Sequence, residues 1–360
     1  MLSLALSLLC SPLQQQASSV SGATVDTLGE YAGTYQWSRD SFIYLQLWSE
    51  LTGTPQLTAF DESGDVRVLF PSARDTFFVG HSAAVRTAVE ATIAFQRDSA
   101  GRITSLSWRR LGVVPRVAQR VDIERHEDVL FSNGTVRLAG TLITPRGGIK
   151  HPALVLVHGS GVEDREYILP HAHFLVRHGI AVLGYDKRGV GGSTGDWRTA
   201  TFEDLASDVV AAVAYLRTRP DIDTAQIGLL GVSQAGWVMP LAAVRDPKLA
   251  FLISISGPGL PAAETTIDEA RNEMTASGMP PETIDRIIHL MELQYAYART
   301  GDGWDAYAVA RDSLVARFGR APETFPAARD DPYWDTIRRL YFYDPAPTLR
   351  RLRADTRTIR

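Results

Sequence analysis

A single cysteine, Cys10, occurs in 360 residues, which excludes an intramolecular disulfide framework and any cysteine-rich zinc or iron–sulfur site. An excess of either charge is also missing. Lys and Arg total 37 and Asp and Glu 41, a net charge of −4. With no polybasic tract, there is no groove for nucleic acid to be expected. No apolar run is long enough for a transmembrane helix, and neither an internal repeat nor a low-complexity segment is visible. Hydrophobic residues make up 45% and charged residues 22%. That is the balance of a globular chain with a sizeable core, and it disfavours intrinsic disorder.

The first residues, MLSLALSLL before Cys10, are too few to span a bilayer and resemble the hydrophobic part of a secretory signal. They lack a basic start and a clear cleavage site of small residues. Leu9 stands where a lipid-anchor signal needs a small residue before the cysteine. The expectation is a signal-like segment at 1–23 and an exported protein, periplasmic or secreted.

Residues 24–125 read as a β-rich module. The run 42–48 and the alternations at 65–70 and 89–96 are strand patterns, with Val89, Ala91, Ile93 and Phe95 on one face. DESG at 61–64 and DSAG at 98–101 are turn signals. The spacing predicts a small antiparallel sheet or partly closed barrel. A hairpin follows, turning at Asn133-Gly134.

From about 150 the pattern changes. The segments 153–157, 180–183, 227–230 and 250–255 are continuously apolar, as in parallel strands covered by helices on both faces. Between them, Leu205, Val209, Ala212, Val213 and Leu216 form one helical stripe, which a capping signal at 201–204 begins and Pro220 ends. Strand and helix alternating in this way predict a doubly wound, mostly parallel α/β sheet over 126–360. Residues 260–345 are helical and rich in Trp and Tyr. Inserted after a strand, they are expected to form a lid, with aromatic walls over the sheet's C-terminal edge. The bland alternative is a peripheral helical subdomain.

The chemistry concentrates in LGVSQAGW at 230–237. A strand runs into Gly231-Val-Ser233 and a helix follows, the pattern of a nucleophile elbow that presents one serine above the sheet. Small residues are needed there because strand and helix backbones approach closely. The usual G-x-S-x-G has Ala235 at its fifth position, with glycine one later. A serine nucleophile generates a tetrahedral oxyanion that needs fixed N–H donors. Two are expected: the backbone N–H of Gln234, and that of Ser160 in HGSG at 158–161, the loop closing the strand 153–157. The glycines of YDKRGVGGSTG at 185–195 are spaced wrongly for a dinucleotide fingerprint. Asp186 and Arg188 are expected to brace that loop. His171, His173 and His178 are read as solvated or packing histidines, because i and i+2 point apart on a helix and no carboxylate pattern accompanies them.

HGSG, YDKRGVGGS and GVSQAG in this order resemble the α/β-hydrolase superfamily, closest to bacterial EstD-type esterases and their dienelactone-hydrolase and serine-aminopeptidase relatives. The resemblance covers about 125 to 350. It implies ester or, less often, amide hydrolysis without a cofactor, with Ser233 as nucleophile, Ser160 and Gln234 as oxyanion donors, and a small-molecule ester as substrate. The segment before 125, beginning LGEYAGTY at 28–35, is similar to accessory modules of secreted serine hydrolases.

In that fold the triad follows the order Ser, acid, His. After Ser233 the sequence holds one histidine, His289, inside a predicted lid helix, where a surface or packing role is expected. Residues 349–353 look like the approach to a further strand. The expectation is therefore a chain lacking the triad acid and base and the last strands of the sheet, through truncation or a frameshift near Ala354, and so poorly folded and nearly inactive. Three other functions remain open: a peptidase or thioesterase of the same fold, a non-catalytic binding protein, and an envelope-binding protein led by the β-module.

Overall fold

The computed structural model describes residues 25–355 except 50, 169 and 320–323. The signal-like segment at 1–23 and the last five residues lie outside them. After a short helix α1 (Val25–Leu28), nine strands form one antiparallel sheet: β1 (Gly33–Ser38), β2 (Ser41–Trp48), β3 (Gln56–Asp61), β4 (Val66–Val68), β5 (Phe70–Ala73), β6 (Thr76–Gly80), β7 (Val89–Arg97), β8 (Ile103–Arg110) and β9 (Arg116–Val121). Their order is β4-β3-β2-β1-β9-β8-β7-β6-β5. Leu69 alone separates β4 from β5, although these are the two edges, so the sheet curls until its edges approach. Alternation drives this. On β7, Ala91, Ile93 and Phe95 are buried while Thr92, Ala94 and Gln96 are exposed. Val89, on the same face, is 56% exposed, because it is the first residue of β7 and precedes the buried stretch of the strand. Tyr31, Phe77 and Phe95 meet edge-on or tilted inside. At the turn into β8, Asp98 Oδ1 accepts from the N–H groups of Ala100 and Arg102, both at 2.9 Å.

The second sheet comprises β10 (Glu124–Asn133), β11 (Val136–Pro145), β12 (His151–Val157), β13 (Ala181–Tyr185), β14 (Ile222–Val232) and β15 (Phe251–Ile255). Its order is β10-β11-β13-β12-β14-β15. The first two pairings are antiparallel and the other three parallel. Helices α2 (Arg165–Ile168) and α3 (Pro170–Arg177) follow β12, α4 (Phe202–Arg217) follows β13, and α5 (Ala235–Arg245) follows β14. Strand β12 shows why both faces are apolar. Ala153, Val155 and Val157 join the core shared with α4 and α5, and Leu154 and Leu156 join that shared with α3. Thr201 caps α4 reciprocally: its hydroxyl accepts from Asp204 N–H at 3.1 Å, and Asp204 Oδ2 accepts from Thr201 N–H at 2.9 Å.

β15 departs from the expected pattern. Ile253 and Ile255 are 41% and 39% exposed. The strand is the sheet edge, and among the described residues no further strand pairs with it. Residues 349–353, read as the approach to another strand, are helical instead: they lie in the last of the helices α6 (Ala262–Ala276), α7 (Pro281–Thr300), α8 (Trp304–Phe318), α9 (Tyr333–Thr336) and α10 (Ala346–Asp355). A π turn, Ile337–Tyr341, continues α9. The aromatics of this region mostly pack on one another. Tyr297, Trp304, Tyr307 and Trp334 form one cluster, with Tyr307 and Trp334 essentially fully buried. They are the core of the helical segment rather than the aromatic wall expected of them, because four large rings on neighbouring helices bury more area against each other than against an open cavity.

Candidate active site

Strand β14 ends at Val232, and α5 begins at Ala235. The two residues between must reverse the chain, and Ser233 does so at φ +53°. This left-handed conformation costs an L-residue roughly 1–2 kcal/mol. The turn is held by Ser233 N–H to Ile255 C=O at 3.0 Å and by Gly236 N–H to Ser233 C=O at 2.8 Å. The glycines follow from the close approach. A Cβ on Gly231 would stand 2.3 Å from that of Ala235, and one on Gly236 would stand 2.6 Å from Gly257 Cα. Ala235, the departure from the usual motif, is itself fully buried against Gly231. The motif's second glycine, one place late in sequence, is where α5 crosses residue 257.

Ser233 is exposed and opens into a cavity of about 400 Å³ that Ser160, Gln234, Phe202, Trp237 and Tyr341 also line. The structure thus brings Ser233, Gln234 and Ser160 to one cavity. Gln234 is buried as the N-cap of α5, where the helix's N-terminal dipole favours negative charge. Tyr341 is the aromatic that the helical segment contributes to this cavity. Helix α6 adds polar groups to the lining: Thr266, Glu269, Asn272 and Glu273. Burial, and then the charge of Glu273, raise the Glu269 carboxyl above its ordinary value. His289 does not line the cavity. It lies on α7 with its side chain 65% exposed, 3.8 Å from Glu292.

The loops beside Ser233 are rigidly braced. His158 is buried, its Nε2–H donating to Tyr185 C=O at 2.5 Å. Burial and then the Lys187 charge push its pKa down to about 3, so the ring is neutral. Gly159 N–H donates to the buried carboxylate of Glu163 at 2.7 Å. Asp186 is enclosed by its own glycine-rich loop, which explains the glycines: a Cβ on Gly191 would stand 2.4 Å from Asp186 Oδ2. Gly192 N–H donates to that carboxylate at 2.8 Å, and Arg165 donates through its backbone N–H, Nε and Nη2 at 2.9 to 3.0 Å. Burial alone would raise Asp186, but the Arg165 bonds outweigh it and hold the carboxyl below its usual range. Arg188 pairs with buried Asp208 of α4 at 2.7 and 2.8 Å, and Asp208 also accepts from Asn133 at 2.8 Å. Asp186 and Arg188 do brace the loop, each through a partner from another element.

The histidines on α3 differ in role. His173 is buried between the two sheets, with Nδ1 3.0 Å from Glu124 and Nε2 3.2 Å from Gln46 of β2, and its ring stacks on Tyr44. The carboxylate not found by sequence is therefore Glu124, 49 residues away. Burial pushes the Glu124 carboxyl up, but bonds from His126 and His173 prevail and hold it well below the usual range.

A mixed sheet in this strand order, with a strained serine between β14 and α5, defines an α/β-hydrolase fold. The family model for the X-Pro dipeptidyl-peptidase (S15 family) matches residues 133–360. The chain belongs to this family. Among curated relatives, Esterase EstD of Thermotoga maritima is 28% identical over 195 residues, covering 52% of this chain and 45% of the relative. Quorum-quenching protein AidA of Acinetobacter baumannii is 31% identical over 128 residues, covering 35% and 42%. The matched segments thus span less than half the length of these relatives. Among solved structures, the α/β hydrolase GrgF of Penicillium aligns with a TM-score of 0.35 at 25% identity, over 49% of this chain and 67% of that one.

Proposed function

We propose that Ser233 is the nucleophile of this hydrolase and that carboxylic esters of small molecules are its substrates. The supporting observation is the left-handed, exposed Ser233 in one cavity with Ser160 and the N-cap residue Gln234. Ser233 Oγ attacks the ester carbonyl carbon and its proton passes to a base. The carbonyl oxygen becomes an oxyanion that accepts from the backbone N–H groups of Ser160 and Gln234. Collapse expels the alcohol and leaves an acyl ester on Ser233, which water then hydrolyses. Each donor contributes about 3 kcal/mol to such a transition state. No histidine lines the cavity among the described residues. Oxyanion stabilisation and binding alone sustain roughly 10³–10⁴ over water. The helices after 260 act as the lid, the nine-stranded sheet as an accessory module, and the protein is exported. Hydrolysis of p-nitrophenyl acetate by the purified chain is expected to be slow and to vanish in S233A; equal rates in the two proteins would refute the assignment.

A peptidase is the second reading, favoured by the family and by the acidic wall of Glu269 and Glu273, which suits a substrate with a free ammonium group. Faster cleavage of an aminoacyl p-nitroanilide than of its N-acetylated form, with the difference lost in E269Q/E273Q, would select it.

A further inference from the structure

Lys187 is among the most deeply buried charged residues of the chain, 2% exposed. Its Nζ donates to the carbonyl oxygens of Gly159 at 2.7 Å and Gly161 at 2.8 Å, and its backbone N–H donates to Glu163 C=O at 3.2 Å. The first of these carbonyls belongs to the peptide whose N–H is that of Ser160. In a trans peptide the C=O and N–H point in opposite directions. An ammonium on the oxygen therefore turns the Ser160 N–H away from Lys187, and Ser160 lines the cavity of Ser233. The charge also polarises the peptide, making its N–H a stronger donor. On the other side of Gly159, Glu163 takes the Gly159 N–H, and a Cβ on Gly159 would stand 2.9 Å from Glu163 Oε1. The loop is thus gripped at both peptides of Gly159.

We propose that Lys187 is a positioning residue, which aims and strengthens the Ser160 N–H by holding the Gly159 carbonyl. The inference rests on the Ser233 reading above, since the donor serves an oxyanion formed there. The groups facing Lys187 are Glu163 and neutral His158 from the loop, the ring of Trp197 at 5.7 Å, and, across a small cavity, Leu205 and Asp208 of α4 and Val238 of α5. Glu163 accepts the Gly159 N–H and Asp208 is engaged by Arg188. Burial lowers the ammonium's pKa to about 8, so its charge is lost just above neutral pH.

Two readouts on the full chain test this. The first is the ¹⁵N-serine amide spectrum from pH 6.5 to 9.5, with Ser160 assigned by S160A. The Ser160 signal is expected to move with a midpoint near 8 in the native chain and to stay still in K187M. The second is the rate at which a fluorophosphonate modifies Ser233. The native log rate is expected to climb with pH and bend over near 8. K187M should be at least tenfold slower with no bend, and K187R should recover part of the loss. A Ser160 signal indifferent to both pH and K187M overturns the proposal even if Ser233 is modified normally, and so does an unbent K187M rate equal to the native one. Failure of the fluorophosphonate on the native chain overturns the Ser233 reading instead, and the amide titration still decides the role of Lys187. If K187M fails to fold, judged by circular dichroism, the titration of the native chain and K187R carry the test.

Discussion

Replacing Ser233 by glycine and by alanine separates the strain of the turn from the chemistry of the hydroxyl. At an ordinary φ, glycine is less stable than alanine by about 0.5–1 kcal/mol, because it loses more chain entropy on folding. At φ +53° alanine, like serine, bears the steric cost of roughly 1–2 kcal/mol that glycine avoids. The difference therefore reverses sign, and S233G should exceed S233A in stability by about 0.5–1 kcal/mol. The hydroxyl contributes little to either comparison, since the side chain is exposed. The backbone bond to Ile255 survives both changes. At roughly 2–4 °C per kcal/mol for a chain of this size class, the melting temperature of S233G should stand about 1–4 °C above that of S233A. Paired urea and thermal melts of the two variants measure this. S233G less stable than S233A by about 1 kcal/mol would place residue 233 in ordinary backbone geometry and remove the elbow.

Two further outcomes concern the bracing. Asp208 is 1% exposed and serves both Arg188 and Asn133, so D208A should cost about 3–5 kcal/mol by stranding a buried guanidinium; urea melts showing a loss below 1 kcal/mol would contradict this. The Glu124 carboxyl is held below its ordinary value. Its contribution is thus complete above the unfolded-state pKa of about 4.3 and fades as pH falls below it. Between pH 4.5 and 3.5 the native chain should lose about 1 kcal/mol more stability than E124Q, and parallel curves would show that Glu124 is not anionic in the fold.

Features carried by local periodicity were legible in the sequence. The alternation of β7, the two-faced apolarity of β12, the cap at Thr201 and the turn at Gly134 each depend on residues within a few positions of one another. GVSQAG was legible for the same reason, since a strand, a tight turn and a helix are adjacent in the chain. What escaped depends on partners brought together by the fold. Arg165 reaches Asp186 across 21 residues, Arg188 reaches Asp208 across 20, and His173 meets Glu124 across 49. Lys187 left no signal, because a lysine in a glycine-rich loop reads as a solvated charge until its carbonyl partners are seen. The aromatics after 300 were misplaced because composition does not say whether rings face a cavity or each other. The exposed face of β15 was hidden because an edge strand and a central one have the same apolar sequence.

The most direct measurement is site-mapped modification by a fluorophosphonate. The 360-residue chain is incubated with the probe, digested, and every serine-containing peptide is followed by mass spectrometry against S233A. A single phosphonyl group on Ser233, absent from S233A, is the expected result. A probe mass spread over several serines, or one of unchanged yield in S233A, would contradict the assignment of Ser233 as nucleophile.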